Sequence, residues 1–224
     1  MIIRKYRLVL KRLQAEDIEL VRMHRNSDEI RPFMFHQEMI TPQMQKEWFS
    51  SINNPTNHYF LIEYQGKKIG LIFGKEDDYV ARTTESGIFI WDKNYLNSLV
   101  PVLASVLITE LTFTFREMKK IYATVQLKNQ QVINYITELG YKLEKEIPSE
   151  NKRIYSLTKE NYFSKATRIK KAIGKLCRDF SEVSAKDIDV SEVSAEERRT
   201  LYASYPLYLQ KKFDELFKTT PPAT

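Results

Sequence analysis

The side chains able to do acid–base, nucleophilic or metal chemistry are few and scattered. They are His24, His36 and His58, one cysteine at 177, and carboxylates of which Glu85 stands just before an apolar run at 86–91. Three separated histidines and one cysteine lack the ligand spacing of a zinc site, so no metal is expected. Cys177 has no base beside it and falls on an apolar stripe, which argues against a nucleophile. His24 and His36 lie in a polar segment, 22–36, that also holds Arg25, Asn26 and Met34; His58 opens a strand and is given no role. The strongest local pattern runs from 119 to 143. Ile121, Ala123, Val125 and Leu127 alternate with Tyr122, Thr124 and Gln126, the period of a half-buried strand. Asn129 punctuates it, and Val132, Ile133, Ile136 and Leu139 then follow at helical spacing. Gly140 stops that helix and Tyr141 and Leu143 resume an extended run. Asn129 is an excellent N-cap, and the first helical turn behind it has backbone N–H groups open to a ligand.

The rest of the chain must hold these groups in place. Its 224 residues are 42% hydrophobic and 29% charged, an ordinary globular composition. Thirty-five basic against 29 acidic side chains give a net charge of +6, a mildly basic surface without a dense basic block or a nucleic-acid motif. No apolar run approaches the roughly 20 residues that span a bilayer. One cysteine excludes an intramolecular disulfide framework, and the N-terminus lacks an apolar signal core, so the cytoplasm is expected. Strand patterns occur at 6–13, 58–63, 67–73, 86–91 and 153–157, with a hairpin turn at 64–67. An amphipathic helix starts at 18. Another has Thr41 as N-cap, Pro42 at its first position and Trp48, Phe49 and Ile52 on its apolar face. Residues 101–115 suit a buried helix. Beyond 161 the composition changes: 166–180 carries Ile169, Ala172, Ile173, Leu176 and Phe180 at helical spacing among basic residues. Ser-Glu-Val-Ser-Ala occurs at 181 and at 191 and reads as two short caps. Ser194 with Glu197 fits a capping box for a helix reaching Phe217 that Pro206 breaks, and 219–224 is expected to be disordered. The expected division is 1–164 and 165–224.

The order strand, two helices, antiparallel meander, helix, strand, helix, strand resembles the GNAT superfamily of acyl-CoA-dependent N-acetyltransferases. The signals that carry the resemblance are Arg25-Asn26 followed by Met34 and the helix start at Ile40-Thr41; the hairpin of 59–64 and 68–71; Glu85 and Gly87; and Asn129 through Tyr141. It covers about the first 160 residues and looks narrowest toward the RimJ/RimL-type branch, similar to the N-acetyltransferases of nucleotide-linked amino sugars in pseudaminic acid biosynthesis. The resemblance implies an α+β fold, a mixed, mainly antiparallel sheet flanked by helices, here with a helical C-terminal extension. It implies acetyl-CoA as co-substrate and a small-molecule amine, or the amine of a nucleotide-linked sugar, as acceptor. It places the pantetheine arm along the backbone of Ile88, Phe89 and Ile90, and further cofactor contacts at Asn97, Ser98, Leu99, Val100, Val102 and Asn129. His24, Arg25, Asn26, Met34 and His36 border the acceptor pocket, Glu85 is the base, and Tyr135 lies nearest the superfamily's tyrosine acid, whose own position is Ile136. Two glycine positions of the usual pyrophosphate loop are occupied by Leu99 and Pro101, which crowd the backbone and remove an N–H. Two alternatives therefore stand beside the enzyme: a GNAT-fold binding module that has lost the cofactor, and an acetyltransferase or binder of protein or RNA that uses the basic helix.

Overall fold

The computed structural model describes residues 1–219. The pattern at 6–13 resolves into a hairpin, β1 (Ile2–Lys5) and β2 (Leu8–Arg12), whose two-residue turn holds Tyr6 and Arg7 at φ of 56° and 63°. That turn is normally signalled by Asn or Gly, and its absence hid β1 in the sequence. Next come α1 (Ile18–Asn26), α2 (Pro42–Ile52), β3 (His58–Tyr64), β4 (Lys67–Asp78), β5 (Thr83–Ile90), the short α3 (Lys93–Leu96) and α4 (Val100–Thr114). The unit at 119–143 forms as read, with β6 (Lys120–Gln126), α5 (Gln130–Glu138) and then β7 (Lys142–Ile147), followed by β8 (Lys152–Thr158). The chain continues with α6 (Lys159–Cys177), β9 (Ile188–Asp189), α7 (Ala195–Thr200) and α8 (Leu207–Thr219).

The strands form one mixed sheet in the order β7-β8-β6-β5-β4-β3-β2-β1-β9. Every neighbouring pair is antiparallel except β5–β6, which is parallel and pairs only Thr83–Glu85 with Lys120–Tyr122. Past that point the two strands part, while β5 stays paired to β4 as far as Ile90 opposite Gly70. The main core lies on one face, where the mainly apolar α4 is largely buried, with Leu103, Leu107, Leu111 and Phe113 in its centre and its buried Glu110 paired with Lys170. The other face is an aromatic layer, Tyr59, Leu61, Leu71 and Trp91, under α1 and α2.

The expected boundary at 164 falls inside α6, which begins where Thr158 Oγ1 accepts from Asn161 N at 3.3 Å. Val183, Ile188, Leu201, Leu209 and Phe213 join the main core, and β9 extends the sheet at β1. Ser184 and Ser194 act as the two caps, and Pro206 separates α7 from α8. The expected disordered tail lies, apart from the helical Thr219, outside the described residues.

His58, left without a role in the sequence, belongs to a buried polar cluster under this segment. Its Nε2 lies 3.0 Å from Asp77 Oδ2, which also accepts from Arg116 Nη2, and the ring of Tyr205 stacks on the imidazole at 5.9 Å. Burial, reinforced by the Arg116 charge, pulls the His58 imidazole down to about 4. Burial opposes ionisation of Asp77, but Arg116 and His58 outweigh it and hold the carboxyl well below the usual range.

Candidate active site

The parting of β5 from β6 opens a cleft of ≈ 140 Å³ between Ser86, Gly87 and Ile88 on one side and Ala123, Thr124 and Val125 on the other. Ser105, Ile108 and Thr109 of α4 and Val132, Tyr135 and Ile136 of α5 complete its wall. Because β6 pairs β5 only as far as Glu85, the cleft-side edge of 86–90 keeps backbone donors and acceptors that no neighbouring strand uses. An extended amide-bearing chain can add to such an edge as a strand does. Ser86, Tyr135 and Tyr141 also line the cleft. Ser86 Oγ and Tyr141 Oη are 3.0 Å apart, and Tyr135 Oη donates to the carbonyl of Pro101 at 3.1 Å. Burial raises both phenols, Tyr141 to about 12 and Tyr135 further, so both stay protonated near neutral pH.

At the cleft's outer end the first turn of α4 has few donors. Leu103 N closes the first intrahelical bond on Leu99 O, Pro101 has no N–H, and Val100 N donates to Ser98 Oγ at 3.1 Å. Asn97 Oδ1 accepts from Gln131 Nε2 at 2.8 Å, so α5 and the α3–α4 loop are tied across the entrance. Ser98 Oγ also donates to Tyr95 O, Leu99 and Val102 pack against the core, and Val100 is buried. Asn129 is the N-cap of α5, its Oδ1 accepting from Val132 N at 3.2 Å, so that oxygen is engaged within the chain.

On the opposite face of the sheet, alternation along β5 puts Glu85, Gly87 and Phe89 on one side and Thr84, Ser86 and Ile88 on the other. Gly87 is required there, because a Cβ would stand 2.4 Å from Phe73 Cζ. Glu85 Oε2 lies 3.4 Å from Lys75 Nζ. Burial lowers Lys75, but its hydrogen bond to Glu76 and its attraction to Glu85 prevail and hold the ammonium above its ordinary range. Tyr59 is close to this pair, its phenol pushed up to about 12 by burial, and its ring stacks on Phe73 at 5.0 Å. The Arg25 guanidinium sits 5.9 Å over the Phe89 ring, half-buried and, among the described residues, in no ion pair; burial draws its pKa down.

The structure thus brings Arg25, Glu85 and Phe89 together on this face, with Ile88 and Ile90 turned the other way. His24 stacks on Trp91 at 4.6 Å and is lowered by burial. Asn26 ties down the loop, its Nδ2 donating to Ile40 O and its Oδ1 accepting from Ile40 N, both at 2.8 Å. Met34 contributes its carbonyl, which accepts from Gln126 Nε2 at 3.1 Å and closes the 27–41 loop onto the end of β6. His36 is exposed. Tyr135 reaches the cleft although it precedes the expected acid position, because its side chain spans from α5 to α4. Sequence reasoning missed Tyr59, Lys75, Ser86 and Tyr141. Period-two alternation from Glu85 would have placed Ser86 in the cleft, whereas Lys75 and Tyr59 become neighbours of Glu85 only through strand register. Among the described residues no group of three or more His, Cys, Asp or Glu side chains is arranged for a metal, and no helix is long and apolar enough to cross a membrane.

The acetyltransferase (GNAT) domain family matches residues 7–142. The spermidine N(1)-acetyltransferase of Escherichia coli K12 is 25% identical over 142 residues, 63% of this chain and 76% of that protein. Among solved structures, spermidine N-acetyltransferase from Vibrio cholerae in complex with CoA and spermine superposes with a TM-score of 0.61 at 20% identity, over 71% of this chain and 99% of that one. A domain from Methanocaldococcus jannaschii gives 0.60 at 19% identity, over 67% and 97%.

Proposed function

The chain belongs to the acetyltransferase (GNAT) family, an N-acetyltransferase that uses acetyl-CoA, and we propose that its acceptor is a primary amine on an anionic small molecule, the amine of a nucleotide-linked sugar. One observation carries this choice of acceptor: Arg25, a half-buried guanidinium over an aromatic ring with no carboxylate in ion-pair range among the described residues. A half-buried cation loses hydration that no carboxylate here offsets, and a phosphate is the natural bidentate partner for guanidinium. Lys75 stands on the same face, so a polyamine such as the spermidine of the relatives meets two cations, with Glu85 already facing one of them.

In this reading the pantetheine arm lies along the open edge of β5 at Ile88, Phe89 and Ile90, on the α4 side of the sheet. The acceptor enters from the α1–α2 side, beneath the 27–41 loop. The two meet where β5 and β6 part. Glu85 takes a proton from the acceptor's ammonium, and the neutral amine attacks the thioester carbonyl that a β5 backbone N–H polarises. The tetrahedral adduct collapses with cleavage of the C–S bond, the departing CoA thiolate taking up the proton that the new amide nitrogen loses.

Thiol release from acetyl-CoA, measured with a panel of nucleotide-linked amino sugars and with spermidine, tests the assignment. The expected result is turnover of an amino-sugar nucleotide that Arg25→Ala weakens mainly through KM. Faster turnover of spermidine, unaffected by Arg25→Ala, would refute it.

A further inference from the structure

A helix N-terminus binds phosphate through unpaired N–H groups and the helix dipole. At α4 those donors are reduced: Pro101 has none and Val100 N already donates to Ser98 Oγ, which leaves the N–H groups of Leu99, the N-cap, and Val102. Leu99 and Pro101 stand where glycines would let a phosphate approach the backbone, and the Leu99 side chain itself packs against the core. Lys93, the one cation between residues 92 and 101, is bonded to Glu29 at 3.1 Å. Lys128, on the other lip of the cleft, is exposed, where a single charge is well screened. The entrance itself is spanned by Gln131–Asn97 and by Tyr135–Pro101. The inner cleft, by contrast, keeps the unpaired β5 edge that takes amides.

We infer that this site recognises its acyl donor by the pantetheine arm alone, so that pantetheine thioesters lacking the nucleotide are donors of the same rank as acetyl-CoA. The inference rests on the acetyl-transfer reading above. The two pantetheine amides pair with the β5 edge and the thioester reaches the parting of the strands. The pyrophosphate and adenosine stay in solvent beyond Leu99 and add little binding.

Calorimetry with CoA, pantetheine and ADP on the full chain tests this without turnover. CoA and pantetheine should bind within about tenfold of each other, a spread of about 1.4 kcal/mol, and CoA affinity should change little with salt. CoA binding more than about tenfold tighter than pantetheine overturns the inference while leaving acetyl transfer intact. Binding of neither thiol removes the pantetheine site, and with it both readings. Leu99→Gly combined with Pro101→Gly restores approach and a donor. It should tighten CoA by about tenfold or more and leave pantetheine unchanged, and equal effects on both thiols count against the inference. If that variant does not fold, the wild-type ratio and salt dependence still decide.

Discussion

Acid should destabilise this protein through His58 before Asp77 titrates. The imidazole sits against Asp77 and the ring of Tyr205, and burial with the Arg116 charge lowers it from an ordinary 6.5 to about 4. A histidine lowered on folding binds fewer protons in the folded than in the unfolded state, so stability falls as pH drops through 6.5 and the loss is complete near 4. A difference of about 2.5 pH units corresponds to about 3 kcal/mol, with a slope near 1.4 kcal/mol per pH unit within the window. Asp77 has the same sign, but its loss begins only near the ordinary aspartate value of 3.8 and lies below the window. His24, also lowered by burial, adds a smaller slope common to wild type and variant. Urea denaturation at pH 7.5, 6.5, 5.5 and 4.5 on wild type and His58→Gln measures the difference. The variant should be less stable at pH 7.5, because the imidazole's stacking is lost, yet flatter across the series. Parallel curves for the two proteins would refute the assignment to His58.

Gly87→Ala places a methyl 2.4 Å from Phe73 Cζ and should cost about 1–3 kcal/mol, read as a lower Tm, with Phe73→Leu in the same chain recovering part of it. Glu85→Gln should lower turnover by about a hundredfold with CoA affinity unchanged, since the carboxylate faces away from the cleft; equal turnover in steady-state assays would remove Glu85 as the base. Asn129→Ala removes the oxygen that accepts from Val132 N, and thermal unfolding should register a loss of about 1 kcal/mol at the start of α5.

Legibility followed the range of the interaction. The unit from Lys120 to Tyr141 was readable because strand alternation, cap, helical spacing and Gly140 are all local, and Gly140 does take the expected left-handed turn at φ 103°. The caps at Ser184 and Ser194 were readable for the same reason. The Tyr6–Arg7 hairpin turn was not, because two bulky residues at positive φ carry no local signal and are held there by the pairing of Ile2–Lys5 with Leu8–Lys11. Side-chain neighbours across strands were equally hidden. Lys75 meets Glu85, and His58 meets Asp77 across 19 residues, only once register is fixed, and register is a property of the whole sheet. Pro101 was legible as a lost N–H, but the closure of Tyr135 onto its carbonyl required the packing of α5 on α4.

The part of the chain beyond the family match also bears on the site. The match ends at 142, yet residues after 180 cover the sheet where it is least able to face water. Tyr205 lies over His58, Tyr208 Oη donates to Arg116 O at 2.9 Å, and Lys212 Nζ donates to Phe115 O at 2.8 Å. Removing this cover would expose a buried ion pair and the apolar rings packed around it, among them Phe115 against Phe213 at 5.2 Å. In the proposed mechanism the consequence reaches Glu85 through β4, because Asp77, which Arg116 and His58 hold in place, is two residues from Lys75, which pairs with Glu85. A chain cut after Ser164 should therefore lose acetyl transfer by loosening β4 rather than by losing a docking surface. Hydrogen exchange separates the two outcomes: faster exchange across 72–78 marks loosening of the strand, whereas unchanged protection there together with lost activity would assign residues 165–224 a direct part in binding.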